Sequence, residues 1–175
     1  MSKPRIILGI DPGLGVLGYG LIRAERDAVV HIAHGCVVTE PGATVARRLQ
    51  HLYASVRALR DAHSPTDVAV EQLFHSRNTT TALAVGQARG VAIIAAMNEA
   101  TEYGEYSPTQ VKHMVAGHGG ARKRQIQEMV ALLLGLPLPP RPDDAADALA
   151  VAICHARQAS FADLLHEQGV LSLTP

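Results

Sequence analysis

Two short runs of this chain are wholly apolar, and each ends in an acid. Ile6-Ile7-Leu8-Gly9-Ile10 stops at Asp11, and Val68-Ala69-Val70 stops at Glu71. A strand without polar alternation has no face to offer to solvent, so it must be covered on both sides. That requirement demands a sheet sandwiched between helices and excludes a half-exposed meander as the whole fold.

The rest of the pattern supplies those layers. Residues 5–11 read as a strand, Asp11-Pro12-Gly13-Leu14-Gly15 as a turn, and Val16 to Arg23 as the returning strand of a hairpin. Val29 to Thr39 is a third strand after the polar Glu25-Arg26-Asp27 turn. From Thr44 to Ala62 the apolar residues Val45, Leu49, Leu52, Val56 and Leu59 recur at helical spacing, with arginines on other faces. Val68–Val70 is a short parallel strand. A long helix follows from Asn78 or Thr79, either of which could cap it, to about Glu99. Glu102 to Tyr106 is a fifth strand. Pro108 opens a helix that fails at Gly117-His118-Gly119-Gly120, residues 122–134 form another, and Asp143 to about Gln158 is the last main helix. The order β-β-β-α-β-α-β-α-α-α implies an α/β fold with a five-stranded mixed sheet and helices on both faces.

At 175 residues the chain suits one domain with one core. No apolar run is long enough to span a bilayer, and no signal segment is visible at the N-terminus, so a cytoplasmic protein with no membrane partner is expected. Cys36 and Cys154 lack metal-ligand spacing and read as reduced core thiols. Sixteen basic and sixteen acidic residues cancel, but Lys112, His113, His118, Arg122, Lys123 and Arg124 share one segment. A neutral total therefore does not exclude nucleic acid.

Four acids stand in segments without a base. No Lys or Arg lies between Ile6 and Ile22 around Asp11, between Asp67 and Phe74 around Glu71, or between Asp143 and Ala156 around Asp144 and Asp147. A carboxylate among apolar strands is costly unless paired or bound to a cation. Taken singly, each has a structural explanation. Asp11 before Pro12-Gly13 could be a turn residue, Glu71 could pair with Arg89, and Asp144-x-x-Asp147 imitates a helix-capping box. Asp143, directly after Pro142, is the better pure cap. Taken together, four such acids suit hard divalent cations, which take oxygen ligands. Asp11 and Glu71 on adjacent strands, ~4.8 Å apart, could share one.

Five blocks now carry a resemblance: Ile7-Leu8-Gly9-Ile10-Asp11-Pro12-Gly13, Gly18-Tyr19-Gly20, Val70-Glu71-Gln72-Leu73-Phe74, Gly86 to Ala92, and Asp144 to Ala150. In this order and at these separations the chain resembles the RuvC family of bacterial Holliday junction resolvases over roughly residues 5–157. The resemblance implies a ribonuclease H-like fold, with 1–158 as the nuclease domain and 159–175 as a tail. It implies an endonuclease dependent on Mg2+, two ions per subunit, with Mn2+ as a substitute. Four-way DNA junctions would be resolved by paired symmetric nicks that leave 5′-phosphate and 3′-hydroxyl ends. It further implies a homodimer that works with the RuvA–RuvB branch-migration complex.

Residue by residue, the family's acidic positions fall on Asp11, Glu71, Asp144 and Asp147, as catalytic and metal-binding groups. Asp143 is an extra neighbouring acid, and the sequence leaves open which of Asp143 and Asp144 is the ligand. Phe74 matches an aromatic that stacks on unpaired bases, and Arg77 and Asn78 match the loop after it. Lys112 and Lys123, two of the three lysines, match basic positions facing DNA. Ala82, Gly86 and Gly90 advance by fours along a helix that is apolar around most of its circumference, and the resemblance favours dimerisation there. Two rival readings are an actin-like or sugar-kinase ATP-binding domain, suggested by Asp11-Pro12-Gly13, and a non-catalytic junction-binding module. The first lacks a second phosphate loop, and retention of all four acids argues against the second.

Overall fold

A computed structural model describes residues 4–25, 28–72 and 79–168. Five strands, β1 (Arg5–Asp11), β2 (Val16–Glu25), β3 (Ala28–Val38), β4 (Asp67–Glu71) and β5 (Glu102–Tyr106), form one sheet in the order β3-β2-β1-β4-β5. The meander pairs antiparallel, while β4 joins β1 and β5 joins β4 in parallel. Among the described residues, five helices cover it: α1 (Val45–His63), α2 (Thr79–Ala96), α3 (Pro108–Ala116), α4 (Lys123–Leu134) and α5 (Asp143–Glu167). The expected mixed sheet and its two helical layers are therefore both present.

Side-chain alternation sorts the layers. On β1, Leu8 and Ile10 point to a cluster with Leu52 and Val56 of α1 and Ala88 and Ala92 of α2. Ile7 points the other way, with Ala69 of β4, to Val111, Val130, Leu149 and Ile153 of α3, α4 and α5. The central runs lack a polar face because both faces are core.

Local chemistry sets several boundaries. Thr44 caps α1 by accepting from the Arg47 amide. Ser107 and Gln110 form a reciprocal capping box around Pro108 at the start of α3. That helix ends at Gly117, whose φ of +82° favours glycine.

Three expectations change. α2 stops at Ala96 rather than near Glu99. α5 runs unbroken past Gln158 to Glu167; its later turns are held to the sheet by Arg5, which reaches Asp163 at 3.3 Å. Cys36 is not a core thiol but half-exposed on edge strand β3, whereas Cys154 is buried. No described helix is long and apolar enough to cross a membrane. Phe74, Arg77 and the capping alternative Asn78 lie outside the described residues.

Candidate active site

The parallel pairing of β1 with β4 brings the two strand-end acids together. Asp11 and Glu71 each follow the last paired residues, Ile10 and Val70, on the face that packs against α5. Their carboxyls share a hydrogen bond. Burial, then the charges of Glu71, Asp147 and Asp144, pushes the Asp11 carboxyl up to about 8. Burial and the Asp147 charge also raise Glu71, opposed by its bond to Asp11 and by Lys123 and Lys112. The turn and arginine-pair explanations fail here: Asp11 faces Glu71, and Arg89 binds Glu105 at 2.5 Å instead.

α5 delivers the other two acids from above the sheet. It approaches so closely because β1 and β2 present glycines beneath it. A Cβ on Gly18 would collide with the Asp144 carbonyl, one on Gly9 with the Ala148 carbonyl, and one on Gly20 would lie 2.7 Å from Leu149 Cγ. Asp144 and Asp147 occupy the first turns, with their charges over Asp11. Burial raises Asp147, against the pull of Lys123.

Neither capping assignment survives. Pro142 is the N-cap of α5, with no side-chain cap. Asp143 turns outward instead, accepting from Arg141 at 2.6 Å and Gln127 at 3.0 Å. It thus leaves the inward position to Asp144.

One expectation about charge is also overturned. Lys123, at the start of α4, places its ammonium 3.0 Å from Asp147 Oδ2 and 3.5 Å from Asp143 Oδ2. The acids lack bases in their own segments, but the fold supplies one from another helix. Lys112 of α3 is near enough for its charge to act on Glu71. The charges of both lysines therefore act on the acids.

Among the described residues no three His, Cys, Asp or Glu side chains already form a metal cage. The donor set nonetheless fits hard divalent cations: carboxylate oxygens only, mutually repelling, with Asp11 and Glu71 near enough to share a hydrogen bond.

A second polar cluster on this face is not announced by any spacing in the sequence. Asp67, at the start of β4, accepts from Arg5 Nη1 at 2.8 Å, His155 Nε2 at 3.0 Å and Thr66 Oγ1 at 2.6 Å. The Tyr106 hydroxyl lies 2.8 Å from His155 Nδ1. The available signal was a charged or polar residue set into an apolar stretch, at Asp67 and at His155.

On α2, Ala88, Ala92, Ala95 and Ala96 are buried against the core, whereas Leu83 and Ile94 are 65% and 70% exposed. A Cβ on Gly90 would meet nothing. Ala82 and Gly86 are half-buried.

Comparison with known proteins agrees with this fold. The family described as “Crossover junction endodeoxyribonuclease RuvC” matches residues 7–155. A protein of that name from Rubrobacter xylanophilus is 51% identical over 152 residues, 87% of this chain and 85% of the relative. Another from Moorella thermoacetica is 50% identical over 151 residues, 86% and 90% of the two chains. Among solved structures, T. thermophilus RuvC in complex with Holliday junction substrate superposes with a TM-score of 0.85 at 35% identity, covering 90% of this chain and 96% of the other.

Proposed function

Because the chain belongs to the RuvC family of crossover junction endodeoxyribonucleases, we propose residue roles for the reaction of that family. The protein is a metal-dependent endonuclease that resolves Holliday junctions in DNA recombination and repair, with the ribonuclease H-like fold. Neither the ATP-binding nor the non-catalytic alternative is favoured.

Asp11, Glu71, Asp144 and Asp147 are the catalytic acids and would hold Mg2+, two ions per subunit, with Mn2+ as a substitute. The observation that carries this is the Asp11–Glu71 pair beneath Asp144 and Asp147, where burial and then the neighbouring negative charges hold the Asp11 carboxyl far above the usual carboxylate range. Bound divalent ions would supply charge neutralisation and an acidified water. The chain's own residues do the positioning. The two strand ends fix Asp11 and Glu71. The first turns of α5 fix Asp144 and Asp147. Lys112 and Lys123 bind phosphates beside the acids. Asp144, not Asp143, is the ligand, because Asp143 is engaged by Arg141 and Gln127.

Phe74 stacks on unpaired bases near the junction centre, and Arg77 and Asn78 touch the backbone beside it. The nuclease domain runs to the end of α5 at Glu167 rather than to residue 158, because that helix is unbroken there, and the tail follows it. The exposed Leu83 and Ile94 with open Gly90 support a homodimer through α2, with Ala82 and Gly86 near the contact. A helix covering one sheet face needs only one apolar stripe. Such a dimer would cut two strands symmetrically, leaving 5′-phosphate and 3′-hydroxyl ends, alongside RuvA–RuvB in the cytoplasm.

The test is incubation with a synthetic four-way junction and a linear duplex, with and without Mg2+. Cutting of the junction alone, dependent on metal and lost in Asp11→Asn with binding retained, is expected. Cleavage by Asp11→Asn at the wild-type rate would reject the acid site.

A further inference from the structure

α5 meets polar groups of the sheet at two points, the acids of its first turns and His155 midway along it, and the two are in register. On β4, Asp67 and Glu71 point to the same face, and the strand between them spans roughly 13 Å. On α5, Asp147 and His155 are separated by about 12 Å of helix rise. The helix runs against the strand direction, since its Asp144 carbonyl sits over Gly18 and its Ala148 carbonyl over Gly9. Glu71 therefore meets the acid end of α5 while Asp67 meets His155 at 3.0 Å.

The contact between them is well determined. Asp67 is 1% and His155 6% exposed, so neither can exchange its partner for water without opening the core. The bonds are mutually consistent when the Tyr106 O–H donates to Nδ1 and the ring Nε2–H donates to Asp67 Oδ1. Burial pushes the Tyr106 phenol up to about 12, which keeps it a donor. Arg5 donates to the same carboxylate oxygen and Thr66 to the other. Thr66 is itself fixed, because its amide donates to the Ile6 carbonyl at 2.9 Å and its hydroxyl accepts from the Ile6 amide at 2.9 Å. The carboxylate thus belongs to the sheet and the imidazole to the helix.

Between Asp147 and His155, Gly9 lies beneath Ala148 and Ala152 and Gly20 beneath Leu149, while Leu149 and Ile153 pack in one cluster with Ile7 and Ile22. The glycines set the height of α5 above the sheet, and the apolar side chains fill the space without specifying a partner atom. A directional bond between buried groups adds that specification along the axis.

We propose that Asp67 and His155 are positioning residues, whose bond fixes α5 along its axis and so sets where Asp144 and Asp147 stand relative to Asp11 and Glu71. They touch neither substrate nor metal. This rests on the four-acid site proposed above.

The readout is the Mg2+ concentration dependence of thermal stability without DNA, followed by circular dichroism, since a ligand at concentration L that binds only the folded state stabilises it by RT ln(1 + L/Kd), so a weaker site needs proportionally more ligand for the same rise in Tm. His155→Ala should need about tenfold more Mg2+ for the same rise, the scale typical of groups that orient metal ligands. His155→Gln, whose amide N–H can reach Asp67, should recover most of the response. Leu52→Ala, a cavity on the opposite face, should lower Tm and leave the Mg2+ dependence unchanged. A wild-type dependence in His155→Ala, or an equal weakening in Leu52→Ala, would overturn the positioning role. Where His155→Ala does not fold, Tyr106→Phe decides: it should shift the dependence in the same direction, and no shift overturns the proposal. Asp11→Asn separates this inference from its premise. A retained Mg2+ response in that variant defeats the acid site itself, whereas loss there with a wild-type response in His155→Ala defeats only the positioning role.

Discussion

The Lys123 ammonium lies 3.0 Å from Asp147 Oδ2, across the gap between α4 and α5. With 54% and 29% of the two side chains exposed, the pair is screened and contributes little to stability. Its consequence is electrostatic: it opposes the rise that burial imposes on Asp147 and also acts on Glu71. A phosphate arriving at Lys123 would compete with these acids for the same charge.

Lys123→Ala is therefore expected to weaken junction binding in the absence of metal and to flatten its salt dependence, by about 0.9 in log–log slope for each phosphate no longer neutralised. Binding titrations across a salt series read this directly. A slope equal to wild type would place Lys123 off the phosphate path.

Metal-free protein should lose stability as pH rises through the Asp11 range. The folded-state carboxyl is raised from 3.8 to about 8, so the native state holds a proton that the unfolded chain has released. This contribution is complete below pH 3.8 and lost as pH climbs through about 8. Asp11→Asn removes it and should flatten the stability profile over that window while leaving metal-free stability equal or higher. Denaturant midpoints measured from pH 4 to pH 9 test both statements, and a steep loss of stability in Asp11→Asn at neutral pH would contradict them.

Asp67 has the opposite sign. Burial works against its charge, but bonds from His155, Thr66 and Arg5 outweigh burial and hold its pKa below the ordinary value. Its stabilisation is present at neutral pH and lost as pH falls below 3.8 through the folded-state value. Asp67→Ala strands the buried partners and should cost about 3 kcal/mol at pH 7, with the difference from wild type shrinking in acid. A constant difference across pH would mean that packing, not charge, is lost.

Gly18→Ala drives a methyl into the Asp144 carbonyl. Overpacking of this kind costs about 1–3 kcal/mol, and it displaces the turn that carries Asp144. Cleavage should fall more than junction binding, measured side by side on one junction. Unchanged cleavage would show that α5 can lift without disturbing the acids.

Ile94→Lys and Leu83→Lys alter side chains that are largely exposed in the single chain, so the fold should persist. Light scattering should report monomers if α2 forms the dimer contact, and paired incision should become single nicking. Variants that remain dimeric would locate the contact elsewhere.

Much of this was legible in the sequence for a local reason. Apolar continuity at 6–10 and 68–70, helical spacing at 45–59, and the Pro and Gly stops are short-range patterns, and each states the environment its segment needs. Asp11 and Glu71 were legible because a carboxylate at the end of an apolar strand is expensive wherever that strand packs, and Asp144 and Asp147 because their segment carries no Lys or Arg. Tertiary structure alone decided what lies opposite each charge. Nothing near Asp147 in the chain announces Lys123, and nothing near Asp67 announces His155, 88 residues away. Asp143 looked like a cap until Arg141 and Gln127 claimed it. Helix continuation past Gln158 was equally hidden, since the Arg5–Asp163 bond that fastens those turns joins opposite ends of the chain. Periodicity is set by neighbours a few residues apart, whereas charge pairing is set by distances that exist only once α4 and α5 have packed on the same face of the sheet.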